Sequence, residues 1–408
     1  MKKIAIIGGG AAGMIAAYFA ADSQNEVTIY ESNKELGKKI LASGNGRCNI
    51  INTVSRPEDY ASENSQFVSF ALKHFPFKEF EKFALSIGIL LEIKEDGRCY
   101  PLSNEAKSVQ QSFKTALAMK GITIHESTPI EALKPLEKGF QLHSGGHKFY
   151  ADAVLIASGS EAAPQLGATS IGYQLAKSLK HPVLPTYPSL VQLELDSPYH
   201  FKMAGTKTIA EVSLFIDKQM KAKLQGDILF ANYGISGLAI LDISQKASKA
   251  LMEKKTVSIG LNLVPEFTIE KLENLFKNFQ RNVPNYPIEI VLSNIIPSKI
   301  ARILLESLQI PSSELIHNFS PKEIKKLIFG LRDWRFSVSG THGFKHAEVS
   351  GGGVDTTLVN PNTMESKLIK GLFFAGEVLD VVGKRGGYNF HFAWASGMIA
   401  GKEMKKNI

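Results

Sequence analysis

The first apolar run lies in residues 3–7, KIAII, where after Lys3 it is unbroken and mostly β-branched. Such a run predicts a strand buried on both faces, as in a parallel sheet. Glycines follow at Gly8, Gly10 and Gly13, and an alanine-rich stretch through Met14, Ala17, Phe19 and Ala20 predicts a buried helix. A second short strand, residues 26–30, ends at Glu31. The same signature, an apolar strand closing on small residues, returns at 151–160 (ADAVLIASGS) and at 371–375 (GLFFA). Short strands are predicted at 122–124 and 140–143, with a corner at Pro129 and Ile130 between them. Gly376 and Glu377 end the last strand, and Gly386, Gly387 and Tyr388 precede a helical stretch through Phe392, Trp394 and Met398.

Between 190 and 263 the period changes to two. LVQLEL, TIAEVSLFI and TVSIGLNL alternate apolar with polar residues, which predicts antiparallel strands with one solvated face. From 268 to 330 the period is helical. Leu272, Leu275, Phe276 and Phe279 share a face, and Ser320, Pro321 and Glu323 spell a helix start with a serine cap. The pattern predicts an α/β protein: a Rossmann-like domain assembled from both chain ends, residues 1–188 and 337–408. Into it are inserted a β-rich subdomain at 189–265 and a helical subdomain at 266–336.

Composition narrows the partners. With 408 residues, 44% of them hydrophobic, the chain can bury the cores of two or three domains. No stretch reaches the ~18–20 unbroken apolar residues of a membrane span. The apolar start runs into glycines without a small-residue cleavage site, so the expected location is the cytoplasm. Two cysteines, Cys48 and Cys99, exclude a disulfide framework, and no HExxH or Cys/His spacing predicts a metal site. The net charge is +8. Lysines gather at Lys218, Lys221 and Lys223, at Lys254 and Lys255, and at Lys402, Lys405 and Lys406, none interleaved with aromatics as in a single-strand-binding groove. Spread over a surface, such charge keeps a protein soluble; gathered at a cleft, it attracts phosphates.

The glycines after the first strand have the spacing GxGxxG, and each has a separate task. Gly8 permits the tight turn, Gly10 lets backbone approach a pyrophosphate, and Gly13 lets the helix pack on the strand. The helix, with Ala12 in its first turn, offers free N–H groups to that phosphate. Glu31, 18 positions beyond Gly13, can accept hydrogen bonds from a ribose hydroxyl. Residues 37–49 read GKKILASGNGRCN, with Ala42, Ser43, Gly44 and Gly46 around Asn45. Small residues there let backbone N–H groups approach a flat ring or a phosphate, and Lys38, Lys39 and Arg47 add positive charge.

That loop resembles the signature of the bacterial BaiN-like flavoproteins, also called the aminoacetone oxidase family of FAD-binding enzymes. Residues 364–397, in which AGE is followed by GGYN at a helix start, are similar to the family's closing motif, and EDGRCYP (95–101) and YGISG (233–237) match further landmarks. The resemblance spans the whole chain. It departs at Asn232, where many relatives have histidine, at Leu238, where they often have proline, and at Lys384 and Arg385, where small residues are usual. The resemblance implies FAD as cofactor, with Gly8, Gly10, Ala12, Gly13 and Glu31 at its nucleotide end and the Ile130 backbone against adenine. Around the rest it implies Lys39, Ser43, Gly44, Asn45, Gly46, Arg47, Cys48, Asn49, Ala157, Gly159, Gly376, Glu377, Gly386, Gly387, Tyr388, Asn389 and Phe390. A helix beginning after GGYN would point its N–H groups at the flavin's pyrimidine end. No second GxGxxG is present, so NAD(P)H is expected as a transient donor that reduces the flavin directly.

Three readings of function follow. Family members have been linked to dihydrouridine formation in large-subunit ribosomal RNA, which makes RNA a candidate partner and suits the basic balance, with Lys384 and Arg385 as candidate phosphate contacts. Other family names imply a small-molecule oxidoreductase acting on an amine, ketone or steroid-like substrate. The third reading is a flavin-binding protein without catalysis. The sequence selects no substrate, no pyridine nucleotide, no oligomeric state and no catalytic acid. Cys48, His342 and His346 are the candidates for that acid, each with a plain packing or surface role as its alternative.

Overall fold

The computed structural model describes residues 1–406. The chain divides into two compact units, Met1–Tyr187 with the chain from Glu348 onward, and Pro188–Ala347.

The first unit holds a five-stranded parallel sheet. Its strands are β1 (Lys2–Ile7), β2 (Asn25–Tyr30), β3 (Thr123–His125), β4 (Ala153–Ile156) and β5 (Leu372–Phe374), in the order β5-β4-β1-β2-β3. Every residue of β4 is buried, as its unbroken apolar sequence requires. The order reverses at β1, which pairs with β2 on one side and β4 on the other. In open sheets of this kind ligands bind at that reversal, beyond the carboxyl ends of the strands. A three-stranded antiparallel sheet, Ala132–Pro135, Phe140–Ser144 and His147–Ala151, lies between β3 and β4 in sequence. The corner at Ile130 precedes it, and the Ile130 side chain is core.

Two helices join the chain ends: α1 (Ala11–Ala20) and α2 (Tyr388–Lys405). A Cβ on Gly397 would lie 2.4 Å from the Ala12 carbonyl oxygen, and one on Gly401 2.3 Å from that of Ala16. Glycines four residues apart on α2 therefore face alanines four residues apart on α1, and the backbones approach as closely as side chains allow. Trp394 on α2 is fully buried, stacks on Phe113 and donates its indole N–H to the Ile50 carbonyl at 2.8 Å.

The second unit is a closed barrel of six strands: Leu193–Asp196, Gly234–Ser236, Gln219–Ala231, Lys207–Ile216, Val257–Asn262 and Trp334–Thr341. All its pairings are antiparallel. The helices of 268–332 share one core with the barrel, in which Leu272, Phe276, Leu304 and Leu327 bury alongside Val212, Phe230 and Ile259. The boundary expected at 336/337 falls inside the strand Trp334–Thr341, which closes the barrel against Leu193–Asp196. The helix Pro321–Arg332 begins with the expected capping box: Ser320 Oγ accepts from Glu323 N–H and Glu323 Oε2 accepts from Ser320 N–H.

Candidate functional site

The turn between β1 and α1 is set by close backbone approaches. Gly8 has φ +106°, and a Cβ there would lie 2.5 Å from the Ala157 carbonyl oxygen. A Cβ on Gly13 would sit 1.9 Å from the Gly8 oxygen. Gly10 differs: a Cβ there would meet nothing within 4 Å. It caps α1 with extended backbone and no side-chain hydrogen bond, so the first N–H groups of the helix have no side-chain acceptor. Open space at Gly10 over an uncapped helix start is a cradle for an anionic group. Ala12, in the first turn of the helix, is buried. Gly159, just past β4, likewise faces open space.

Glu31 is buried at the end of β2, and its carboxylate is heavily used by the protein itself. Oε2 accepts from Gly9 N–H at 2.7 Å. Oε1 accepts from Asn33 N–H and Asn33 Nδ2, both at 2.7 Å, and from the Ser32 hydroxyl at 3.2 Å. A carboxylate offers about four acceptor sites. Only Oε2 therefore has capacity for a ribose hydroxyl, and Glu31 first holds the β1–α1 turn in place. Asn33, which does not figure in the sequence reading, is its main partner.

Residues 38–46 form a short helix, Lys38–Ala42, and a tight turn, Ser43–Gly46. Gly44, Asn45, Gly46 and Cys48 all have positive φ, which accounts for the small residues. Cys48 N–H donates back to the Ser43 carbonyl, and Arg47 lies over the Tyr100 ring. The Cys48 thiol is fully buried, and burial pushes its pKa up to about 12, with the Ser43 hydroxyl opposing. Cys99 is also buried and pushed up to about 12 by burial. Asn49, with its amide nitrogen assigned toward acceptors, donates to the Cys99 carbonyl at 3.2 Å.

The C-terminal motif meets this loop. Lys39 Nζ pairs with Glu377 Oε2 at 2.8 Å. Glu377 Oε1 accepts from the Ser160 hydroxyl at 2.7 Å and from Ser350 N–H at 3.1 Å. One carboxylate thus gathers four segments: the 37–49 loop, the exit of β4, the strand Val349–Val354 and the turn after β5. Gly376 packs on Ala12, where a Cβ would lie 2.8 Å from the alanine Cβ, and its N–H donates to Ser396 Oγ. Gly387 has φ +96°, and a Cβ there would strike Ile51 backbone at 2.5 Å. Asn52 Nδ2 donates to the Gly386 carbonyl, and Tyr60 OH to that of Tyr388. Asn389 closes its own turn, accepting from Gly383 N–H and donating to the Gly383 carbonyl. Phe390 stacks on Trp394. Helix α2 starts here without a side-chain cap, like α1 and the other α-helices of this unit. Lys384 pairs with Asp59 at 2.7 Å.

The residues expected around a dinucleotide all lie in the first unit. His342 and His346 are in the second unit, where their rings stack at 3.9 Å and His342 also stacks on Tyr233 at 4.0 Å. Loss of solvation lowers the His346 pKa, helped by the neighbouring charges of His342 and Lys345. Ser160 and Ser350 escape sequence reasoning because serines on strand ends carry no pattern; only the small-residue ending of ADAVLIASGS hints at the first. Among the described residues no group of His, Cys, Asp and Glu is placed to hold a metal ion, and no helix is long and apolar enough to cross a membrane.

The family described as HI0933-like protein Rossmann domain matches residues 2–403. The chain is 36% identical over 408 residues to a 3-dehydro-bile acid delta(4,6)-reductase of Clostridium scindens, covering 98% of each chain. It is 33% identical over 397 residues to a ribosomal RNA dihydrouridine synthase of Haemophilus influenzae, covering 96% of this chain and 95% of that one. A solved 3-ketosteroid delta1-dehydrogenase of Sterolibacterium denitrificans shares its fold, with a TM-score of 0.52 at 11% identity, covering 99% of this chain and all of that one.

Proposed function

The chain belongs to the HI0933-like Rossmann-domain family of FAD-dependent oxidoreductases, and on that premise we propose that it reduces a uridine of ribosomal RNA to dihydrouridine. The two relatives named above share one chemistry. The double bond of uracil is conjugated to a carbonyl, and so are the double bonds of a 3-oxo-Δ4,6 steroid. Reduction of either adds a hydride at the carbon remote from the carbonyl and a proton at the adjacent one.

The residues present fit FAD. Open space at Gly10 before an uncapped helix suits a pyrophosphate, and the remaining acceptor capacity of Glu31 Oε2 suits a ribose hydroxyl. The Ile130 backbone, the turn at 43–49, Ala157, Gly159 and the start of α2 would hold the remainder. FAD held there would supply the hydride chemistry, with NAD(P)H as the proposed external donor. Glu377 holds the surrounding segments in place through Lys39, Ser160 and Ser350. Cys48 packs the loop: its side chain is fully buried, which pushes the thiol pKa up and keeps it from a substrate.

The observation that carries the RNA reading over the steroid one is charge. The second unit, residues 188–347, has 20 lysines and arginines against 15 aspartates and glutamates, most of the chain's excess of +8. A polyanionic substrate rewards that excess along its whole backbone, whereas a bile acid carries a single carboxylate. The steroid-like reading rests on the higher identity to the bile-acid reductase. Incubation of the reduced protein with unmodified ribosomal RNA, or with a 3-oxo-Δ4 steroid, separates them: the account expects two hydrogens gained on a uridine.

A further inference from the structure

Two of the three lysine runs lie far apart in sequence yet meet at one end of the barrel. The hairpin of Lys207–Ile216 and Gln219–Ala231 turns at Asp217 and Lys218. The helix Leu238–Met252 packs on that hairpin and ends beside its tip. Asp217 N–H donates to the Thr256 carbonyl at 2.9 Å, while Asp217 Oδ1 accepts from Thr256 N–H and Oγ1, both at 3.0 Å. These bonds lock the hairpin tip to the turn that carries Lys254 and Lys255. Lys246 Nζ reaches the Lys221 carbonyl, which brings the helix flank to the same place.

The charges here are unequally spent. Lys223 pairs with Glu211 and Lys255 with Glu253. Asp242 and Lys249, on the helix, are both engaged. Lys218, Lys221, Lys246 and Lys254 are exposed and have no ion-pair partner among the described residues. Lys218 and Lys254 both sit at turns with positive φ, and both are exposed. Met220 and Met252 are exposed beside them. Four cations without an ion-pair partner on a bonded scaffold, with adjacent polarizable apolar surface, match a phosphodiester backbone with bases exposed next to it.

We infer that this end of the barrel, built from the hairpin tip and the 253–256 turn, is the docking surface for the RNA strand. The inference rests on the RNA reading above and adds where the RNA backbone sits. Of the two earlier candidate phosphate contacts, Lys384 already pairs with Asp59, and Arg385 is engaged within the protein as well.

The test is binding of a labelled ribosomal RNA fragment by the FAD-loaded protein, followed by anisotropy between 50 and 300 mM salt. The triple variant Lys218→Gln/Lys221→Gln/Lys254→Gln is compared with the wild type and with Lys402→Gln/Lys405→Gln/Lys406→Gln, which removes the same number of charges from the third run. Flavin absorbance and thermal unfolding report that each variant is folded. The inference expects the triple variant to bind at least about tenfold more weakly at 100 mM salt, with the salt slope reduced by roughly 0.7–0.9 per lysine, and the control to be unchanged. Equal weakening of both variants overturns it, because charge would then act without a place. RNA binding untouched in the triple variant overturns it too and leaves the RNA reading standing. Binding of wild type to phosphatidylglycerol vesicles but not to RNA overturns both the docking surface and the RNA reading.

Discussion

Lys39 and Glu377 lie 338 residues apart in sequence and 2.8 Å apart in space, a partly buried ion pair that ties the loop after β2 to the turn after β5. Glu377 has three protein donors on it and Lys39 one acceptor. Removing the acid should therefore hurt more than removing the base. Glu377→Ala leaves the Ser160 hydroxyl, the Ser350 N–H and an ammonium unpaired, for an expected cost of about 2–3 kcal/mol. Lys39→Met leaves two of the three bonds intact and should cost about 1 kcal/mol. Urea unfolding of the two variants checks the order; equal costs would mean that Glu377 acts through Lys39 alone.

Gly10 and Gly13 should separate binding from folding. Gly10 has extended backbone that any residue adopts and faces open space, so Gly10→Leu should fold with near-normal thermal stability as the apoprotein and lose its flavin. Gly13→Ala puts a methyl group 1.9 Å from the Gly8 oxygen and should destabilise the apoprotein by about 2–3 kcal/mol. Flavin retained in purified Gly10→Leu would remove the pyrophosphate from that cradle.

His391 gives a pH signature. It is buried on α2, its Nε2 faces the Phe75 carbonyl at 2.9 Å, and burial lowers its pKa from 6.5 to about 4, with that hydrogen bond opposing. The unfolded chain binds the proton more readily than the folded one, so stability is fully present above about 6.5 and is lost as pH falls toward 4. The loss from this residue approaches about 3 kcal/mol at the lower end. Thermal unfolding from pH 7.5 to 4 should show that slope, and His391→Gln should flatten it; an unchanged slope would place the titration elsewhere.

How much of this was legible in the sequence depends on whether the signal was local. The β1–α1 turn is local, so Gly8, Gly10 and Gly13 could be read from spacing. The capping box at Ser320 is local too. The strand Gln219–Ala231 is different. Its sequence, QMKAKLQGDILFA, carries lysines and a glycine, and its outer end alternates weakly because it projects at the barrel end, where few side chains need burying. The double use of Glu31, which holds Gly9 and Asn33 before any ribose, is invisible to a motif that records only an acid at the strand end. The convergence of Lys218 with Lys254 is tertiary, set by the Asp217–Thr256 bonds, and no run of residues announces it.

Glu31 itself can be tested. Glu31→Gln keeps the size but replaces one acceptor oxygen by a donor amide, which faces either Gly9 N–H or the Asn33 donors. The expected result is a roughly tenfold or greater loss of FAD affinity, measured by titration of apoprotein, with a stability loss of about 1–2 kcal/mol. Unchanged affinity would assign Glu31 to the fold alone.

The central claim is uridine reduction, and it is tested most directly on the RNA. Purified holoprotein, reduced with NADPH or NADH until the flavin bleaches, is incubated with ribosomal RNA lacking dihydrouridine. The RNA is then digested and its nucleosides weighed by mass spectrometry. The account predicts a uridine nucleoside heavier by two hydrogens, formed at one site and absent without the reductant. No such nucleoside, with the flavin visibly reduced and a 3-oxo-Δ4 steroid turned over in its place, would contradict it.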